Sequence, residues 1–290
     1  MRDWISFRTE IHRTLNLSRT YIWRKLREKK ILAAHKRVAK ICEALIEDYE
    51  SAPIDFGLTP KKQFDSDRII WQYWAQGYDN VPQVVQDCLK SVDRHAKDFI
   101  IIRLTDENLS DYLDVPEFVL KKQSLFSRAF YSDLLRLMLL KTYGGLWLDA
   151  TVFLSGDIPE DYLNNPFFVF RRDPHEPNKK YWRNTYAYYY GWTKGFRVNM
   201  LSSFMYAKKG SLTASDLCNY MLLWWKEKTC LPDYFFLQIL FDVYKGKENF
   251  PLQSDTLPHY LQQSMNDPSF YLMPREDILV KIPIHKLSYK

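Results

Sequence analysis

Three charged side chains stand where an apolar run should exclude them. In residues 127 to 155, SRAFYSDLLRLMLLKTYGGLWLDATVFLS, Asp133 and Arg136 interrupt a dense apolar segment, and Asp149 follows Leu146, Trp147 and Leu148. Asp133 and Arg136 are one helical turn apart and share a face. A structural ion pair is one account of them. Buried pairs seldom add net stability over well-packed hydrophobes, so another carboxylate at the same level asks for a further reason. A hydroxyl-rich, polyanionic ligand supplies one: carboxylates accept from sugar hydroxyls or hold a metal against a diphosphate, and a guanidinium donates bidentately.

The elements that must position this trio are a helix, a glycine stop and a strand. Leu134, Leu135, Leu137, Met138, Leu139 and Leu140 are too dense in apolar surface for an exposed helix, and Gly144 and Gly145 end it with a left-handed cap. From Asp133 to Thr142 a helix advances roughly 14 Å. From Gly145 to Asp149 a strand returns about 13 Å. Packed antiparallel, helix and strand bring Asp133, Arg136 and Asp149 to one level near the C-terminal end of the strand, the edge at which open α/β sheets bind ligands.

SDLLR, then YGG, then LWLDATV, with sixteen residues from Asp133 to Asp149, resembles the signature of GT-A glycosyltransferases of the D-x-D sugar-binding group, related to glycosyltransferase family 32. That group includes bacterial capsular polysaccharide synthesis transferases and the glucosylating clostridial toxins. The likeness is greatest to the capsular type, in which W-x-D-A-T replaces a full D-x-D. The resemblance implies that Asp133 and Arg136 bind the donor sugar and that Asp149 serves nucleotide and metal, Mn²⁺ or Mg²⁺. Thr151 takes the third motif position, where a neutral hydroxyl is a poor substitute for a carboxylate on a divalent ion. It also implies a Trp74 that stacks on uracil, an acceptor-side carboxylate at Asp233, and a C-terminal segment in which His285 and Lys290 touch phosphate or metal. For Trp74 the alternative is a core tryptophan, for Asp233 a helix N-cap, and for the C-terminus a solvated tail.

Apolar residues at 46% and aromatics at 16% place the chain of 290 residues among globular proteins rather than disordered ones. Cys42, Cys88, Cys218 and Cys230 show no C-x-x-C spacing, which leaves no zinc or redox motif. Scattered cysteines without a signal peptide fit a reducing cytosol. No apolar run approaches the ~20 residues a membrane span requires. The net charge of +6 is local: residues 1 to 40 hold twelve Lys and Arg against three acids, and the other 250 residues carry 29 bases against 32 acids.

Residues 1 to 50 read as a basic amphipathic region of two or three helices. Trp4, Phe7, Ile11 and Leu15 lie on one face, Val38, Ile41, Leu45 and Tyr49 on a later one, and Ser18 is an N-cap between them. Such a region suits an anionic membrane surface, or else a solvated basic face on docked helices. No nucleic-acid motif accompanies the charge. Residues 51 to 67, with Pro53, Gly57 and Pro60, form a linker, and the catalytic domain spans 68 to 290. Arg68 to Ala75 and Phe99 to Leu104 are strands flanking a helix at Val84 to His95, a β-α-β order that implies a parallel sheet. The aromatic cluster Tyr181, Trp182, Tyr186, Tyr188, Tyr189, Tyr190 and Trp192 is an acceptor platform or core packing. Asn199 to Lys208 is a strand, Leu217 to Lys228 a helix, and 231 to 244 a further buried helix bearing Asp233. His285, Lys286 and Lys290 give a basic, flexible end.

The fold expected is α/β: a GT-A, Rossmann-like, mostly parallel mixed sheet flanked by helices, with an N-terminal helical appendage. The function expected from the resemblance is retaining transfer of a hexose from a nucleotide diphosphate sugar, a UDP-sugar, to a saccharide acceptor that can be lipid-linked, in capsular or exopolysaccharide synthesis. The expected place is the cytoplasm, at the inner face of the membrane. A sugar-phosphate transferase, a catalytically silent nucleotide-sugar binding protein and a membrane-assembly adaptor are the alternatives.

Overall fold

The computed structural model describes residues 2–186, 188–244 and 248–289, with side chains from residue 21 onward. The chain begins with one uninterrupted helix, α1 (Arg2–Ser51). This corrects the expectation of two or three helices capped at Ser18. No Gly or Pro occurs before Pro53, and a lone serine among strong helix formers does not end a helix. The side chains of Trp4, Phe7, Ile11 and Leu15 lie outside the described set. From Ile31 onward α1 buries Val38, Cys42 and Leu45 in the main core, a spacing of seven, four and three that keeps one face inward. From Tyr21 to Lys30 its residues are exposed or partly exposed.

After an irregular stretch pinned by Lys61 N–H donating to the Tyr143 hydroxyl at 2.8 Å, the elements follow in turn. They are β1 (Ile69–Tyr73), α2 (Gln83–His95), β2 (Ile100–Leu104), α3 (Glu117–Lys122), α4 (Arg128–Tyr143), β3 (Gly145–Leu148) and β4 (Val152–Leu154). Then come α5 (Glu160–Leu163), β5 (Phe167–Arg171), α6 (Lys179–Thr185), β6 (Met200–Ala207), α7 (Leu212–Glu227), α8 (Phe236–Tyr244), α9 (Tyr260–Asn266), α10 (Arg275–Lys281) and β7 (Ile284–Lys286).

Five strands form the main sheet in the order β2-β1-β3-β6-β5. β1 pairs parallel with β2 and β3, whereas β6 runs antiparallel to both β3 and β5. The result is an α/β fold with a mixed sheet between helical layers. Strand residues alternate between its faces, as a period of two requires. Trp71, Trp147, Phe167, Val169 and Met205 face the core shared with α1, α4, α7 and α8. Ile70, Leu146, Leu148, Phe168, Phe170 and Phe204 face the other side, where α2 contributes Val92. A full set of apolar residues on both faces is the signature of a sheet covered twice.

The joint between α4 and β3 depends on two glycines. Gly144 and Gly145 have φ of 75° and 94°. A Cβ on Gly145 would stand 2.6 Å from the Ile69 carbonyl oxygen, and one on Gly144 would stand 2.5 Å from the Lys209 nitrogen. Both the backbone conformation and the close passage of neighbouring strands therefore demand residues without a side chain.

β4 and β7 make a separate two-stranded pair, with Val152 opposite Lys286 and Phe153 opposite His285. The segment expected to be a flexible basic end is thus a strand in this pair, held by main-chain hydrogen bonds and by the buried Ile284.

Candidate functional site

A cavity of about 450 Å³ opens beside Asp149, past the ends of β1 and β3. Trp74, Asp133, Arg136, Asp149 and Thr151 all line it, together with Arg128, Tyr234, Gln238, Lys286 and Tyr289. Asp133 and Arg136 reach it because α4 is fixed at its start by Ser127, whose hydroxyl accepts from Phe130 N–H at 3.2 Å, and at its end by the glycine cap. Asp149 is fixed by the sheet: its N–H donates to the Ser203 carbonyl at 2.9 Å.

Arg136 joins the trio. It lies 3.1 Å from Asp133 Oδ1 and 3.5 Å from Asp149 Oδ1, and its Nη1 donates to the Ser202 carbonyl at 2.7 Å. Its guanidinium also sits 5.2 Å from the centre of the Trp147 ring, and the indole Nε1–H of that ring donates to Asp149 Oδ1 at 2.8 Å. The level derived from helix and strand rises is therefore the arrangement found. Asp133 has no hydrogen-bond donor other than Arg136 among the described residues, so its second oxygen is available to a ligand hydroxyl.

The two carboxyl groups are tuned in opposite directions. Burial pushes Asp133 up to about 6, with Arg136 lowering it only in part and Asp149 adding to the rise. Burial acts on Asp149 in the same sense, but Arg136, Lys286 and the Trp147 N–H outweigh it and hold that carboxyl below the usual range.

Lys286 was not singled out as a binding residue, yet it enters the cavity where His285 does not. Its ammonium lies 3.5 Å from Asp149 Oδ2 and is hydrogen-bonded to the Thr151 hydroxyl. His285 points to the opposite face of β7, fully buried, with Nε2 3.0 Å from the Ser155 hydroxyl. Burial lowers its pKa to about 4, so it is neutral near pH 7 and cannot serve as a phosphate-binding cation. Adjacent residues of a strand point to opposite faces, so Lys286 faces the cavity and His285 does not. Lys290 lies outside the described residues.

Asp233 does not line the cavity. Its Oδ1 accepts from Phe235 N–H at 2.8 Å in the turn before α8, and its charge acts on His35 of α1. Its neighbours take its place: Tyr234 lines the cavity, and Gln238 does so with Nε2 donating to the Ser202 hydroxyl at 3.1 Å and a buried Oε1 that has no partner. Trp74, one residue past β1, meets Tyr289 edge to face at 5.4 Å, while Trp71 turns to the core and Tyr73 both packs on that core and lines the cavity. Of the aromatic cluster, Trp182 and Tyr190 are buried in a core of their own.

The donor set does not fit the divalent ion expected at Asp149. Two cationic side chains already flank that carboxylate, Asp133 is committed to Arg136, and the Thr151 hydroxyl is engaged by Lys286. Among the described residues no group of three or more His, Cys, Asp or Glu could hold a metal ion. The local cations are guanidinium and ammonium.

A family model described as "Capsular polysaccharide synthesis protein" matches residues 19–290. The chain is 30% identical over 165 residues to "O-glycosyltransferase braB" of Annulohypoxylon truncatum, a match covering 50% of this chain and 35% of that relative. It thus spans about a third of the length of that curated relative. Among solved structures it is similar to "PaToxG Glycosyltransferase" at 14% identity and a TM-score of 0.31, over 88% of this chain and 95% of the other.

Proposed function

We propose, from the premise that the chain belongs to the capsular polysaccharide synthesis protein family, that it is a glycosyltransferase of the GT-A type. It moves a hexose from a UDP-sugar to a saccharide acceptor, with retention, in capsular or exopolysaccharide synthesis. The observation that carries the reading is Arg136 held between Asp133 and Asp149 at the wall of a cavity of sugar-nucleotide size.

Each part of such a donor has a counterpart. Trp74 and Tyr289 are the aromatic surfaces for the base. The carboxylate of Asp133 accepts from sugar hydroxyls, and Arg136 donates to them or to the nearer phosphate. Lys286, steered by Asp149 and Thr151, faces the diphosphate. In transfer the bond between the anomeric carbon and the diphosphate oxygen breaks and negative charge accumulates on the leaving group. Fixed cations that meet that charge stabilise the transition state more than the bound donor.

The basic first helix fits a second part of the same reading, residence on an anionic membrane surface at the cytoplasmic side. Tyr21, Ile22, Trp23 and Leu26 are exposed beside Arg24, Lys25, Lys29 and Lys30, the pairing of apolar and basic side chains that interfacial helices use. No helix among the described residues is long and apolar enough to cross a membrane.

The test is nucleotide release from a panel of sugar nucleotides, with product analysis by mass. The expected outcome is release from one UDP-hexose and an acceptor heavier by one hexose. Arg136→Lys should lower turnover about a hundredfold, because an ammonium cannot reproduce the planar fork. Wild-type turnover in that variant, or a product heavier by hexose phosphate, refutes the reading.

A further inference from the structure

A second cavity, of about 610 Å³, opens along the same edge of the sheet. β5 and β3 both run antiparallel to β6, so their C-terminal ends lie on one side. Asp149 is bonded to Ser203 on one flank of β6, and Arg171 pairs with Met200 on the other flank. The two are therefore roughly 10 Å apart along the strand and about 10 Å across it. α8 continues the connection: Gln238 lines the first cavity and Asp242, one helical turn on, lines the second. The path between them is the length of a short oligosaccharide.

The charges in the second cavity do not balance. Its two carboxylates are engaged: Asp242 with Arg197 and Asn199, each at 2.7 Å, and Glu248 with the Ser211 hydroxyl and the Leu212 and Thr213 N–H groups at the start of α7. Arg171 has no carboxylate partner among the described residues. Its Nη2 donates to the Phe250 carbonyl at 3.0 Å, its buried Nε has no partner, and its guanidinium lies 4.3 Å from the centre of the Phe250 ring. Burial, with no acid to offset it, lowers the pKa of that guanidinium. The exposed Lys194 adds a second cation, and Trp192, held by its Nε1–H on the Asp173 carbonyl at 2.8 Å, adds an indole.

We infer that this cavity is an acceptor subsite for a carboxylate-bearing saccharide, in which Arg171 and Lys194 take the carboxylate of a uronate residue and Trp192 and Phe250 supply the aromatic surface for its ring. The inference rests on the glycosyltransferase reading and specifies its acceptor. A half-buried cation without a counter-charge is unfavourable in the empty protein and favourable once an anion arrives, so the subsite selects charge as well as shape. A neutral glycan gains the stacking alone.

The test is titration calorimetry of the full chain with linear trigalacturonate, neutral maltotriose and, separately, UDP. Trigalacturonate should bind at least tenfold more tightly than maltotriose at low salt. Arg171→Gln should reduce that preference about tenfold, the scale of one charge-assisted hydrogen bond, while UDP affinity stays unchanged. Arg171→Lys should keep most of the preference. Equal affinity for the two trisaccharides, or a folded Arg171→Gln protein with the full preference, overturns the inference. If Arg171→Gln does not fold, the exposed Lys194→Gln decides: a reduced preference supports the subsite and an unchanged one overturns it. Intact UDP binding without uronate preference defeats this inference alone, whereas uronate preference without UDP binding defeats the donor reading.

Discussion

The ammonium of Lys286 is hydrogen-bonded to the hydroxyl of Thr151, across 135 positions of sequence. This contact gives the Thr151 hydroxyl a partner beside Asp149. A second carboxylate there would suit a divalent ion, whereas a hydroxyl can accept from a lysine whose charge is already met by Asp149. Lys286→Gln should therefore lower the turnover of a UDP-sugar about a hundredfold, the scale of removing one fixed charge stabiliser. EDTA should leave wild-type turnover unchanged. Loss of activity in EDTA that Mn²⁺ restores would show that the ammonium does not carry this role.

Asp133 sets a pH dependence. Its carboxyl, raised to about 6 chiefly by burial, is protonated as pH falls through that value, and a protonated Asp133 neither accepts from a sugar hydroxyl as a charge nor balances Arg136. Donor affinity should fall below about pH 6 along a single-proton curve, measured by UDP-sugar titration from pH 5 to 8. Asp133→Asn should flatten the curve at the low level. The sign for folding is opposite. A carboxyl raised above its unfolded value of 3.8 contributes stability in full below that value, and the contribution is lost as pH rises through about 6. A donor-affinity curve with no inflection near 6 assigns the ionisation elsewhere.

Gly145→Ala tests the joint. The φ of 94° and a Cβ placed 2.6 Å from the Ile69 oxygen together should cost about 3 kcal/mol. Thermal unfolding should show a midpoint lower by roughly 5 °C or more. An unchanged midpoint would mean that β1 and β3 separate without penalty, contrary to the packing described.

The exposed turns of α1 make a separate prediction. Arg24→Gln with Lys25→Gln should weaken binding to vesicles containing anionic lipid by about 2 kcal/mol, near 1 kcal/mol for each charge, and leave binding to neutral vesicles unaffected. Nucleotide release with a soluble acceptor should not change. Equal partitioning of variant and wild type would leave those side chains as a solvated face.

The central unit was legible because everything that fixes it is local. A helix, a two-glycine stop and a strand have known rises, so the height of Asp133, Arg136 and Asp149 follows from counting. Trp74 was legible only in part: alternation along β1 leaves open which residues face the loop edge, and the cavity is lined by both Tyr73 and Trp74. Tyr289, Lys286 and Gln238 were not legible, because they reach the cavity through tertiary pairing that no local rule predicts. The continuity of α1 is a different case. Its uninterrupted backbone was readable from the absence of Gly and Pro, and Ser18 was given more weight than one capping residue bears against helix formers on both sides. Asp233 is held by its own turn, accepting from the N–H two residues on, an Asx turn three residues ahead of α8 rather than the N-cap expected as the alternative.

The pairing of β4 with β7 joins segments some 130 positions apart. Closing so long a loop sacrifices chain freedom before any contact compensates for it, and such contacts form slowly. The five-stranded sheet includes neither β4 nor β7, so it can be complete while the wall that Lys286 gives to the cavity beside Asp149 is still missing. A chain interrupted before residue 284 would lack Lys286 and Tyr289 from the wall of that cavity and Ile284 from the core behind the sheet.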